Sequence, residues 1–166
     1  MPFWDRLRFK PLNWTESLKG LGLLMLGSGI VFGILKLVYS LNDWELDLDP
    51  VFLKSQSFAP SQWYIVLLWM FFFFFNIVGE EILWRGYILF GMEEDFKYSY
   101  LINSALWTVF HIAFGFKMVI MLIPTMLVVP YYVQKTENTL TGIFLHGVFN
   151  GGASVFLLIK GFASHK

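Results

Sequence analysis

The chain has 166 residues, of which 57% are hydrophobic and only 14% are charged, whereas soluble domains carry roughly 25% charged residues. This composition predicts an integral membrane protein of one domain, with the lipid bilayer as its surroundings. The formal net charge is zero, which argues against a nucleic-acid partner because binding a polyanion needs a basic surface. Cysteine is absent, which excludes disulfides, thiolate catalysis and iron–sulfur clusters.

The first 62 residues contain one apolar run long enough to cross a bilayer, which takes about 20 helical residues. This run covers residues 18–41, follows a basic start and is too long for the core of a signal peptide. Gly29 and Gly33 form a G-x-x-x-G pair in it, which either favours close helix contact or is a chance pairing. An acidic, proline-containing loop is predicted for residues 42–62.

The chain from residue 63 onward contains four more apolar runs, separated by short polar turns. They cover residues 63–91, 100–114, 116–133 and 140–160. Pro124 and Pro130 are expected to break or kink the third of these runs. The sequence therefore predicts an all-α membrane protein, a bundle of about five transmembrane helices with a polar intramembrane cavity.

The basic residues near the ends of the runs predict the orientation of the chain. With the N-terminus inside, six of them fall on the cytoplasmic side, namely Arg6, Arg8, Lys10, Lys19, Lys97 and Lys135. Four fall on the other side, namely Lys54, Lys117, Lys160 and Lys166. The bias predicts a cytoplasmic N-terminus and an external C-terminus.

Three charges interrupt the second apolar run, in the sequence "GEEILWRG" at residues 79–86. Glu81 and Arg85 are four residues apart, the spacing and order of a favourable helical ion pair. Glu80 points about 100° away from Glu81 on a helix, so its partner must come from another helix. Glu80 is therefore the better candidate for a general base.

Polar residues on two further runs are expected to lie at a similar depth. His146 and Asn150 are four residues apart, so an imidazole and a carboxamide project side by side and could hold an oxyanion. His111, on another run, could orient a water molecule. Ionisable groups at this depth usually face a bundle interior or a wet cavity, so the sequence predicts that these residues converge with Glu80.

The three motifs together resemble a known family. "EEILWR" (80–85), "WTVFH" (107–111) and "HGVFN" (146–150) follow the order of motifs in the CAAX protease and bacteriocin-processing family, also called CPBP or Abi. Its members are intramembrane glutamate-type endopeptidases. The resemblance covers about 63–160 and departs from the family at Trp107, where Phe is usual; the chain is also shorter than many members.

The resemblance implies an organisation and a mechanism. Residues 1–62 would form an N-terminal segment with the first helix, 63–160 the catalytic core and 161–166 a tail. Glu80 and His111 would activate a water that attacks the scissile carbonyl, while His146 and Asn150 stabilise the oxyanion. Three residues would support the site, namely Glu81, Arg85 and Trp107. The implied substrate is a peptide or protein that is prenylated or secreted. The protein itself is expected in a prokaryotic cell membrane. No cofactor or metal is expected.

Other functions are compatible with some of the same residues. Two carboxylates and two histidines could ligate zinc in a metal-dependent membrane hydrolase, although no H-E-x-x-H motif accompanies them. A non-proteolytic immunity or scaffold protein, or a proton pathway, could also place carboxylates in a membrane. Taken singly, the Glu81–Arg85 pair, His111 and Asn150 could each be structural.

Overall fold

The computed structural model describes residue 5, residues 7–47 and residues 63–164, with side chains described up to residue 152. Most of the predicted loop at 42–62 lies outside these ranges. Three of the basic residues used to predict orientation also lie outside them, namely Arg6, Lys54 and Lys166.

The described residues form five main helices and no β-strand. They are α1 (Trp14–Leu41), α2 (Trp63–Met92), α3 (Ser99–Phe110), α4 (Phe116–Thr136) and α5 (Thr139–Ser164). Their number and order match the five predicted runs, with ends displaced by a few residues. Within the described residues, α1, α2 and α4 are long and apolar enough to cross a membrane. The predicted fold class, an all-α membrane protein, is confirmed.

The third helix is shorter than the others. It has 12 residues, which corresponds to about 18 Å, and a 3₁₀ turn continues it over His111–Phe114. Gly115 then adopts φ 99°, a conformation that glycine reaches without steric cost. The chain thereby reverses into α4 at Gly115, four residues after His111, so that histidine lies in the 3₁₀ turn that ends α3.

Small residues bring α1 close to α4 and α5. A Cβ atom at Gly20 would lie 3.0 Å from the Leu145 side chain, and one at Gly27 would lie 3.2 Å from a proline of α4. Gly29 and Gly33 have no atom within 4 Å of such a position. The close contact expected at Gly29 and Gly33 is therefore not made within the described chain, because this side of α1 faces outward.

The two prolines of the fourth helix do not interrupt it. Helix α4 runs without a break through Pro124 and Pro130, both of which are buried. Of the predicted break or kink, the break is wrong, because packing against neighbouring helices can hold a proline-containing transmembrane helix together. The kink stays a prediction.

Helix α2 changes its winding directly after the two glutamates. It is α-helical over Trp63–Glu81, π-helical over Ile82–Leu89 and α-helical again over Phe90–Met92. In the π-helical part, the Trp84 carbonyl accepts a hydrogen bond of 2.7 Å from the Asn103 amide of α3. π-Helical turns are rare and are frequent at functional sites, and the apolar pattern did not predict this one.

The N-terminal segment packs against the end of α2 and the turn between α4 and α5. Leu7 is fully buried, and a Cβ atom at Gly86 would lie 2.8 Å from its side chain. The Thr139 hydroxyl donates to the Leu7 carbonyl. The Asn138 amide donates to the Lys10 carbonyl over 2.9 Å and accepts from the Lys10 N–H over 3.1 Å. These contacts fix the N-terminal segment at one end of the bundle.

Four basic residues that form ion pairs lie at this same end, namely Arg8, Lys10, Lys19 and Lys135. Arg8 pairs with Glu93 over 2.7 Å and Lys135 pairs with Glu16 over 2.6 Å. These pairs join the segment before α1, the start of α1 and the ends of α2 and α4. Lys117 lies at the opposite end, 5.4 Å from the Tyr39 ring. The positive-inside rule then predicts that the N-terminal end faces the cytoplasm.

Labelling of introduced cysteines tests this orientation, since the chain has none of its own. Glu45 and Glu94 are both exposed and lie at opposite ends of the bundle. In right-side-out vesicles, a membrane-impermeant maleimide should label Glu45→Cys and should reach Glu94→Cys only after permeabilisation. Labelling of Glu94→Cys without permeabilisation would contradict a cytoplasmic N-terminus.

Candidate active site

A fully buried ion pair lies at the junction of the α-helical and π-helical parts of α2. Arg85 Nε lies 3.3 Å from Glu81 Oε2, and both side chains are 0% exposed. The Arg85 guanidinium carbon lies 3.6 Å from the centre of the Trp107 ring. Its nitrogens have no hydrogen-bond partner among the described residues, so charge attraction to Glu81 and the π face of Trp107 compensate the cation. The predicted pairing of Glu81 with Arg85 is present.

Glu81 also connects α2 to α5. His146 Nδ1 lies 2.8 Å from Glu81 Oε1, and His146 is buried. An Nδ1–H that donates to this carboxylate fixes the ring orientation and leaves Nε2 available. The sequence placed His146 beside Asn150 and did not predict its contact with Glu81.

Glu80 points away from Glu81, as expected, and binds two donors. Trp107 Nε1 of α3 donates to Glu80 Oε2 over 3.2 Å, and Asn76 Nδ2 donates to Glu80 Oε1 over 3.0 Å. The expected partner from another helix is therefore Trp107. Glu80 is only partly buried, so its carboxylate remains accessible.

His111 is buried at the end of α3. Its Nδ1 lies 2.9 Å from the Trp107 carbonyl oxygen, and its ring stacks on Phe114 with centroids 5.1 Å apart. Because a carbonyl only accepts, Nδ1 carries the hydrogen and Nε2 of a neutral ring is an acceptor. His111 can therefore accept a hydrogen bond from water through Nε2.

The Trp107 side chain is the common contact of these groups. Its ring centre lies 5.2 Å from that of His111 and 5.3 Å from that of His146, both in edge-to-face geometry. Its indole N–H contacts Glu80 and its ring face contacts Arg85. Trp107 is 1% exposed. Four residues predicted for the site therefore contact one indole, namely Glu80, Arg85, His111 and His146. A fifth, Glu81, contacts two of these four.

Asn150 is the one predicted site residue without such a contact. It is partly buried on α5, one turn after His146, and its side chain makes no hydrogen bond within the described part of the chain. Its role in the site stays a prediction.

An apolar groove of about 540 Å³ lies between α2 and α5, beside the polar cluster. Its walls are apolar side chains and glycines, among them Phe73, Ile77, Gly147 and Gly151. Ile77 precedes Glu80 by one turn, and the two glycines directly follow His146 and Asn150. The groove is therefore apolar and has polar groups next to it, and the polar intramembrane cavity expected from the sequence stays a prediction.

Comparison with known proteins shows the family of the chain. The family model described as type II CAAX prenyl endopeptidase Rce1-like matches residues 61–152, more than half of the chain. The chain belongs to the Rce1-like family. No curated protein and no solved structure matches it. The resemblance noted from the three motifs is confirmed, and family membership makes the protein a membrane-embedded peptide hydrolase in general terms.

Two residues of this Rce1-like site were not predicted. Asn76 stands out in the sequence as an amide in an apolar run, and its four-residue spacing from Glu80 could have identified it. Gly142 of α5 had no such signal. A Cβ atom there would collide with the Glu81 carboxylate and would lie 2.8 Å from the Val133 side chain.

The histidines and carboxylates of the Rce1-like site are arranged as hydrogen-bond partners. Within residues 7–47 and 63–152, no group of three His, Asp or Glu side chains is placed to hold a metal ion. Nδ1 of both His111 and His146 is already engaged by a protein oxygen.

Because Glu81 lies close to Gly142, a substitution at Gly142 tests the packing of the buried ion pair. Alanine normally stabilises a helix relative to glycine by roughly 0.5–1 kcal/mol. Gly142→Ala should instead destabilise the protein by about 1–3 kcal/mol, as overpacking does, because its methyl group displaces the Glu81 carboxylate. Thermal unfolding in detergent measures the change.

Gly152→Ala is the matched control, since it lies on the same helix and has nothing within 4 Å of its added Cβ. It should leave the melting temperature unchanged or raise it slightly. Equal melting temperatures for the two variants would contradict a tight seat for Glu81 at Gly142.

Proposed function

We propose that the protein is an intramembrane endopeptidase in which Glu80 is the general base for hydrolysis of a peptide bond in a membrane-associated substrate. The position of Glu80 carries this proposal. It is the accessible member of two adjacent glutamates, both of its oxygens are held by donors, and it lies beside the apolar groove. The motif order and family membership are consistent with this assignment.

In the proposed reaction, a water molecule binds between Glu80 and His111. One water hydrogen is donated to the Glu80 carboxylate and the other to Nε2 of His111. As the water oxygen attacks the carbonyl carbon, Glu80 accepts a proton, which it then gives to the nitrogen of the leaving amine. The peptide C–N bond breaks, and one water is consumed for each bond cleaved.

The oxyanion that forms needs hydrogen-bond donors. We assign this role to His146 and Asn150, as the family resemblance implies. Glu81 holds Nδ1 of His146, so Nε2 is the ring atom that would face the oxyanion, and it donates there when it carries a hydrogen. In this proposal Glu81 has two roles, since it compensates Arg85 and also orients His146.

The groove supports a substrate with a long apolar part. The groove has a volume of about 540 Å³ and apolar walls. A substrate without an apolar part would leave these walls without a matching surface. Burying alkyl groups there is favourable by about 0.8 kcal/mol per CH₂. We propose that the groove holds the lipid chain or apolar segment of the substrate and that its scissile bond reaches Glu80. The lipidated peptide of a CAAX prenyl endopeptidase meets this requirement.

Replacing Glu80 tests the proposed base. Glu80→Gln keeps the shape of the side chain and an acceptor oxygen but cannot take the water's proton. Turnover should therefore fall by about 10²-fold or more, while the melting temperature stays near that of the wild type. Single-turnover cleavage of peptides with and without a prenyl group measures the first quantity.

Mass spectrometry of the membrane and secreted peptides from cells with wild-type protein or Glu80→Gln would identify the natural substrate class. Glu94→Gln, in an exposed turn, is the control for loss of a carboxylate and should cleave normally. Near-normal turnover by Glu80→Gln would overturn the assignment of the base.

A further inference from the structure

Asn76 is a polar side chain in a part of α2 that is otherwise apolar and largely exposed. Between Trp63 and Glu81 only Ile77 and Glu81 are buried, and Asn76 follows five consecutive phenylalanines. A polar side chain in hydrocarbon is costly unless it finds a hydrogen-bond partner. Asn76 has such a partner in Glu80, whose Oε1 accepts from Nδ2 over 3.0 Å.

This contact and the one from Trp107 hold Glu80 from two helices. Asn76 binds Oε1 from the preceding turn of α2, and Trp107 binds Oε2 from α3. With one donor on each oxygen, rotation of the carboxylate about its last bond is restricted. Each oxygen still has a second lone pair, so the carboxylate can accept a hydrogen from water while both donors remain bound.

The charged neighbours of Glu80 do not replace these two donors. Glu81 and Arg85 bind each other, His146 binds Glu81, and His111 binds the Trp107 carbonyl. Within the described residues, the hydrogen bonds recorded for Glu80 therefore come from two neutral groups. The orientation of the carboxylate depends on this amide and this indole.

We propose that Asn76 is a positioning residue which, together with the Trp107 indole N–H, orients the Glu80 carboxylate toward the attacking water. The inference rests on the proposed function of Glu80. It adds that an amide one helical turn before the glutamates acts on the rate of the chemical step and not on substrate binding. Misplacing a reacting group by about 1 Å can cost up to 10²-fold in rate.

The kinetic test compares three variants with the wild type. Asn76→Leu, which removes the donor at similar volume, should lower kcat about tenfold with KM unchanged. Asn76→Gln keeps a donor at the same helical position and should recover most of the lost kcat. Phe75→Leu, at the adjacent exposed position, should retain the wild-type kcat. A structural role alone would instead lower the melting temperature of Asn76→Leu and leave kcat intact, which would overturn the inference.

A second measurement is independent of cleavage. The protein has seven tryptophans, and the ¹⁵N–¹H indole signal of Trp107 is identified by its loss in Trp107→Phe. Asn76→Leu should shift this signal because the carboxylate that accepts from the indole moves, whereas Phe75→Leu should not shift it. An unshifted signal in Asn76→Leu would overturn the inference. Absence of peptide cleavage by the wild type would refute the proposed function, and the indole signal would still decide whether Asn76 holds Glu80.

Discussion

The buried ion pair between Glu81 and Arg85 is the interaction on which the rest of the site depends. Two charges without access to water are costly, and breaking such a pair costs more than the pair contributes. Three other groups make its burial tolerable: the Trp107 ring lies over the cation, His146 binds the carboxylate, and Gly142 leaves room for it. Because Trp107 lies on α3 and the other two lie on α5, compensating the charges also fixes how three helices pack.

The same arrangement explains why two glutamates are adjacent. Consecutive helical side chains point about 100° apart, so Glu81 can enter the bundle while Glu80 remains at the edge of the apolar groove. Trp107 connects the two environments, since its ring face contacts Arg85 and its N–H contacts Glu80. A phenylalanine at this position could cover the cation but could not hold the carboxylate. The catalytic geometry proposed for Glu80 therefore depends on the side chain that compensates the buried charge.

The sequence predicted the features that follow from local spacing. Five apolar runs indicated the five helices, and the four-residue spacing of Glu81 and Arg85 indicated their pairing. It did not predict the contact of His146 with Glu81, because contacts between helices depend on rotations that periodicity leaves open. The π-helical turn and the apolar walls of the groove also depend on tertiary packing. The family resemblance placed the N-terminal segment outside the core, yet Leu7 is buried against Gly86. The domain boundary at residue 62 stays a prediction.

The most direct test of this account separates the two roles of Glu81. Melting temperature and single-turnover rate would be measured for the wild type, Glu81→Gln, Arg85→Gln and the double variant. Glu81→Gln should lose about 3–5 kcal/mol of stability, as expected for a broken buried pair, and the double variant should recover part of it. Turnover should be low in Glu81→Gln and equally low in the double variant, because His146 lacks its carboxylate partner in both. Recovery of both stability and turnover in the double variant would contradict the assignment of Glu81 to His146.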